Sequence, residues 1–304
     1  MKHLNLMAGL TLTLILAACG STSLPVVTDP APLTSADTVN EIGGSVASDT
    51  EQLLASLSDI GPLGIQSVQA TGCRVADPAA SALTAAGKPV DTDTDGVPDN
   101  VTWIHTACMR AGASVSGRTQ LSDPNSDAAL AGSFISQDTD LAFTTTRADG
   151  TVRTVTRNGG STGTVTTRSS LNIVRNVTET TSDTLHPTRA ATWQNRVTVR
   201  YTAAPGGSID RRSALPAGTV SVDGPREWHV TDGDRQIGRY LTVTTTTPLA
   251  YDPTCSTTAE RIFGSSHARS GAFNVLVYSD AARTQLKKTV TVSYTDCAPT
   301  ITGS

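Results

Sequence analysis

The chain has 304 residues, a formal net charge of −4, and only 16% charged and 4% aromatic residues. It carries no basic stripe, which argues against nucleic acid as a partner, and its length suits one large β domain or two small ones. Threonine is abundant, and long stretches alternate Thr or Arg with Val, the composition of pleated, half-wet strands rather than of helices.

Residues 1–18 read as an export signal. Lys2 supplies the positive start, Leu4 to Ala17 the apolar run, and Ala17 and Ala18 the small residues before a cut. The run is too short for a permanent membrane span, which needs about 20 apolar residues. Leu16-Ala17-Ala18-Cys19-Gly20 resembles the lipobox of bacterial lipoproteins. The resemblance implies that the Cys19 thiol receives a diacylglycerol, that cleavage frees its amine, and that the amine is acylated in turn. Each buried CH₂ contributes roughly 0.8 kcal/mol, so several chains hold a protein durably on a membrane. It also implies a lipid-anchored place in the cell envelope. Gly20, where Asp would retain the protein at an inner membrane, points to the outer membrane in a cell that has two.

Residues 19–34, rich in Ser, Thr and Pro, form a tether. Residues 35–61 read as helical: Val39, Ile42, Val46, Leu53, Leu54, Leu57 and Ile60 recur at three- to four-residue steps. Gly43-Gly44 weakens the middle of this stretch and Gly61-Pro62 ends it. The expected task of this segment is to pack on a sheet.

Residues 66–304 read as a single β domain. Strands are expected at Val101 to Met109, Leu141 to Arg147, Thr151 to Arg157, Thr164 to Arg168, Leu171 to Thr180 and Ala191 to Thr202. Further strands follow at Thr219 to Val222, Glu227 to Val230 and Arg239 to Thr246. Ala272 to Tyr278 and Lys288 to Tyr294 form the last pair. Ala148-Asp149-Gly150, Gly159 to Gly163, and Asp232 with Asp234 are read as turns. Turn signals at roughly 8–12-residue spacing without helices between them predict an all-β fold. The expected form is an antiparallel meander making a curved sheet or open barrel, with the short helical segment at its start.

Cys19 aside, four cysteines remain, and in an exported chain an even number reads as disulfides. The favoured pairing is Cys73–Cys108 with Cys255–Cys297, because each pair brackets a local strand unit. Each would contribute roughly 4 kcal/mol in the loop-closure account.

Asp91-Thr92-Asp93-Thr94-Asp95-Gly96-Val97-Pro98-Asp99 places four carboxylates in one short loop with no Lys or Arg among them. Such a loop wants a cation. Ca²⁺ takes six to eight oxygens, and Asp91, Asp93, Asp95 and Asp99 with the Val97 carbonyl can wrap it, Gly96 allowing the sharp turn. The pattern resembles the loops of thrombospondin type 3 repeats and the first part of an EF-hand. It departs from the EF-hand at Thr102, where a bidentate Glu would stand, and from type 3 repeats in being a single copy. The expected ion is a structural calcium, bound weakly, at around 10⁻⁴–10⁻³ M.

No catalytic constellation stands out. Gly159-Gly160-Ser161-Thr162-Gly163 has the letters of a nucleophile elbow, but a strand rather than a helix follows it. His105, His186, His229 and His267 stand apart from one another. Arg226-Glu227-Trp228-His229 reads as a strand edge with a surface Trp. The expected role is non-enzymatic, structural or adhesive. The alternative is a carrier or binder of an apolar ligand in the open barrel.

Overall fold

The computed structural model describes residues 74–110, 113–124, 132–146, 149–209, 215–232, 235–255 and 267–304. It also describes Val39, Ile42, Gly43, Gly44, Val46, Ala47, Thr50 and Leu54. The signal, Cys19 and the tether lie outside the described residues. These residues form one antiparallel sheet whose strands are β1 (Arg74–Ala76), β2 (Asn100–Arg110), β3 (Ala113–Ser122), β4 (Phe134–Thr146), β5 (Val152–Thr167) and β6 (Ser170–Asp183). It continues with β7 (Arg189–Ala203), β8 (Gly218–Asp232), β9 (Arg235–Tyr251), β10 (Ala268–Tyr278), β11 (Leu286–Thr295) and β12 (Ala298–Gly303). Spatial order equals chain order from β1 to β12, and the two end strands do not pair, so the all-β meander is open. Both edge strands are short, which limits the unpaired backbone offered to other chains.

Alternation sets the two faces. In β7, Ala191, Asn195, Val197, Val199, Tyr201 and Ala203 are buried, while the residues between them are exposed or half-exposed. The same period puts Leu171, Ile173, Val220, Val222, Val243, Leu249, Phe273, Val275, Val290 and Val292 on one face. They join Val101, Leu121 and Phe134 from the other end of the sheet in a single apolar cluster, so the sheet curls around one core. Complete burial of such a side chain contributes about 1.5–3 kcal/mol.

The described residues of the 35–61 segment are helical. Val46, Thr50 and Leu54 are fully buried. Gly43 and Gly44 are inside the helical stretch, and Gly43 has a packing reason to be there: a Cβ would run into Ile301 and meet the Val290 Cγ1 at 3.0 Å. A Cβ on Gly303 would meet both Val39 methyls at 2.7 Å. The segment therefore lies on β11 and β12. Leu53, Leu57 and Ile60 lie outside the described residues, and no helix among those described is long and apolar enough to cross a membrane.

Three expectations are corrected. Gly159 to Gly163 is not a turn: β5 runs straight through it, pairing Gly160 with Gln137 and Gly163 with Phe134. The glycines serve close approach, since a Cβ on Gly163 would strike the Phe134 ring, 2.7 Å from its Cζ. The break expected between Val222 and Glu227 is also absent. β8 passes through on an irregularity between Val220 and Gly224, which Thr245 fills. Its Oγ1 accepts from the Val222 N–H at 2.8 Å and donates to the Val222 carbonyl at 3.0 Å. Third, Lys288 to Tyr294 is not in the last strand, because β12 pairs beyond it. A further strand, β3, fills the space between β2 and β4.

Cys255 and Cys297 form a disulfide, with Cα atoms 5.6 Å apart, joining the end of β9 to the β11–β12 turn. Cys73 and the Cys108 side chain lie outside the described residues.

Candidate functional site

Two places gather polar groups. The first is the acidic loop before β2. It is pinned where the Asp99 N–H donates to the Val90 carbonyl at 2.9 Å and the Asp123 N–H to the Pro98 carbonyl at 3.0 Å. Thr94 and Gly96 adopt positive φ, 59° and 93°, which winds the backbone so that alternate carboxylates converge. Asp91, Asp93 and Asp95 each offer one oxygen, all within 4.8 Å of one another.

Part of this convergence is held by the backbone. Gly96 N–H donates to Asp91 Oδ2 at 3.0 Å, Asp95 N–H to Asp93 Oδ1 at 3.2 Å, and Val97 N–H to Asp95 Oδ1 at 2.6 Å. The Gly132 N–H donates to Asp95 Oδ2, so the loop also holds the chain just before β4. Asp91 Oδ1 and Asp93 Oδ2 are buried and accept no hydrogen bond, the state of carboxylate oxygens that face a cation. Burial pushes the Asp91 carboxyl above its ordinary value; the Gly96 N–H opposes this, and nearby Asp93 and Asp95 add to it.

Asp99 does not join the three. Its oxygens accept from Thr92, Oδ1 from the N–H at 2.9 Å and Oδ2 from the hydroxyl at 2.6 Å. These two bonds hold its carboxyl below the ordinary value. Val97 sends its side chain into the core, with its carbonyl still the expected calcium ligand.

The second place was invisible as a motif. Pairing registers align Arg157 of β5, Glu179 of β6, Trp193 of β7, Trp228 of β8 and Arg239 of β9 in one row across the core face. Trp193 and Trp228 stand side by side, ring centroids 6.1 Å apart and planes tilted by 41°. Both are half-buried. Trp228 was expected at a surface edge; it stands instead on the core face of a central strand. One row nearer the apolar core lie Asn195 and Arg226, 5% and 1% exposed.

A polar chain reaches this row from β2. Asp138 Oδ2 lies 2.8 Å from Arg157 Nε, and Arg157 Nη1 lies 3.7 Å from Glu179 Oε1. Thr119 Oγ1 donates to Asp138 Oδ1 at 3.0 Å, and His105 Nε2 lies 3.2 Å from that same hydroxyl. A hydroxyl has one proton to give, so His105 Nε2 carries a hydrogen and donates to Thr119.

His229 is elsewhere, on the opposite face. It lies edge-on to Tyr240 at 5.6 Å and has Nε2 at 3.3 Å from Glu227. His186 lies at the β6–β7 connection beside Asp183. His267 packs against Tyr251 at 5.6 Å.

No protein-family model matches the chain, and no curated protein or solved structure is significantly similar to it.

Proposed function

We propose that the chain is a lipid-anchored protein of the cell envelope with a non-enzymatic structural or adhesive role, held to the membrane through Cys19. One observation favours this over an apolar carrier: the chain's own side chains fill the greasy part of the core face. Val199, Val222, Val243, Val275 and Val290 are completely buried, as are Val46 and Leu54 from the N-terminal segment. Calcium, held by Asp91, Asp93 and Asp95, braces the loop between β1 and β2. The two buried carboxylate oxygens without donors support this ligand set.

Deletion of the gene, restored either by the native chain or by Cys19→Ala, tests the reading. The native chain fractionates with the envelope and restores attachment of cells to surfaces; Cys19→Ala does neither. Stoichiometric lipid in the interior of the purified chain, found by mass spectrometry, would favour the carrier instead. For calcium, calorimetry on the full chain detects binding at millimolar Ca²⁺, and Asp93→Ala with Asp95→Ala removes it. No heat from the native chain would sink the calcium reading.

A further inference from the structure

The geometry points to one rim of the curled sheet as a surface that docks on an anionic phospholipid membrane, the membrane that carries the anchor. This deepens the proposed function and rests on its lipid at Cys19. The antiparallel order gives the sheet two rims. At one, the β4–β5, β6–β7, β8–β9 and β10–β11 connections lie together with the last residues of β12. At the other lie the Asp91–Asp99 loop and the Cys255–Cys297 bond. The chain that leads from Cys19 joins the fold at the first rim, since both Val39 methyls are 2.7 Å from where a Gly303 Cβ would stand.

Both exposed leucines among the described residues are on that same rim. Leu185, in the β6–β7 connection, is 62% exposed, and Leu286, at the start of β11, is 51% exposed. A lone exposed leucine is ordinary; two on the rim where a membrane anchor enters are placed to reach lipid. Lys287 and Lys288 follow Leu286 directly, and neither makes an ion pair with a described residue. Lys288 Cε is 3.0 Å from the same Gly303 Cβ position, so this lysine flanks the point where the anchor's chain enters. The carboxylates of the two turns bend back on themselves: Asp183 accepts from the His186 N–H at 2.7 Å and Asp280 from the Gln285 N–H at 2.8 Å. Leucines of this kind enter the acyl boundary while lysine ammoniums stay among the headgroups. Each lysine near an anionic surface strengthens the attraction about five-fold. Cys19 holds the rim at high local concentration, so contacts too weak to recruit a free chain become populated. The acidic loop, on the far rim, stays clear of a surface of its own sign.

The test uses the full chain purified with its lipid and reconstituted in vesicles of phosphatidylcholine and phosphatidylglycerol. Their acyl chains are brominated, and bromine quenches any indole that reaches them. Leu185→Trp and Leu286→Trp each place a reporter on the docking rim. Ala204→Trp, at an exposed position just after β7, places one on the far rim. Quenching beyond that of the native chain is expected in the first two and not in the third. Adding Lys287→Gln with Lys288→Gln to Leu185→Trp should lower the ratio of docked to undocked chains on the order of ten-fold. Vesicles of phosphatidylcholine alone, or added salt, should act in the same direction. Circular dichroism of each variant separates lost docking from lost folding.

Equal quenching at the two rims, no added quenching at Leu185→Trp and Leu286→Trp, or quenching indifferent to phosphatidylglycerol would overturn the proposal. So would Leu286→Trp emission that shifts with protein density and not with brominated lipid, the sign of a second copy on this rim. Mass spectrometry of the same sample tells the failures apart. No diacylglycerol on Cys19 refutes the anchor reading, and docking with it; lipid present without quenching at the rim refutes docking alone.

Discussion

Arg283 Nη2 lies 3.1 Å from Glu227 Oε1, although 56 positions separate the two residues. Arg283 sits in the β10–β11 turn at φ 55°, and its Nε also reaches the Leu241 carbonyl at 3.4 Å. The turn thus folds back over β9 to grip β8. Burial alone would raise the Glu227 carboxyl, but hydrogen bonds and charge from Arg283 and His229 outweigh it and hold it below its ordinary 4.5. A group depressed in the fold adds stability that is complete above the unfolded value and is lost as pH falls through the folded one. Arg283→Ala should cost about 0.5–1 kcal/mol near neutral pH. It should also flatten the loss of melting temperature below pH 4.5. Melting curves taken from neutral to acid pH check both.

Reduction of Cys255–Cys297 has a size set by the 42 residues between them. Loop-closure entropy for that length amounts to about 4 kcal/mol. The Cys255→Ser, Cys297→Ser double variant should therefore unfold at markedly lower urea concentration than the oxidised protein. Reductant should bring the native chain to the same midpoint.

Gly224 adopts φ 139°, and a Cβ there would crowd the Arg196 carbonyl and lie 2.9 Å from the Val197 Cα. Both obstacles are backbone of the neighbouring strand, which cannot swing aside. Gly224→Ala is expected to cost more than about 1–3 kcal/mol, strain and strand displacement together. Gly87→Ala, also at positive φ but with open space around it, should cost only the strain. Denaturant titration of the two variants separates these contributions.

Calcium at about ten times its dissociation constant should stabilise the chain by about 1.4 kcal/mol, if it binds only the folded state. Asp91→Asn, which removes charge but keeps the acceptor for Gly96, should lose most of that increment. Asp99→Asn should lose less, because Asp99 is engaged with Thr92. Thermal shifts with and without Ca²⁺ read the difference.

The strand alternation made the fold class legible from residues such as Val197, Val199 and Tyr201. Gly159 and Gly160 misled, because a glycine that admits a neighbouring strand looks the same in one dimension as a glycine that turns the chain. The acidic loop was legible because its ligands lie within a few residues of each other. The Arg157–Glu179–Trp193–Trp228–Arg239 row was not, since each member comes from a different strand and only the pairing register aligns them. The alternation in β8 put Trp228 and His229 on opposite faces, but which face was core depended on partners that one strand does not name.

Strand order that follows chain order also has a kinetic meaning. Every strand finds its partner in the segment made just before or just after it, so pairing advances hairpin by hairpin and closes only short loops, each at small entropic cost. Other contacts stand outside this sequence, the Arg283–Glu227 pair among them. The Cys255–Cys297 bond waits for the β11–β12 turn. Val39 has its seat beside Gly303, which does not exist until β12 is made. The earliest described residue of the chain thus depends on the last strand of the sheet for its seat, a contact that pairing of neighbouring strands does not itself provide.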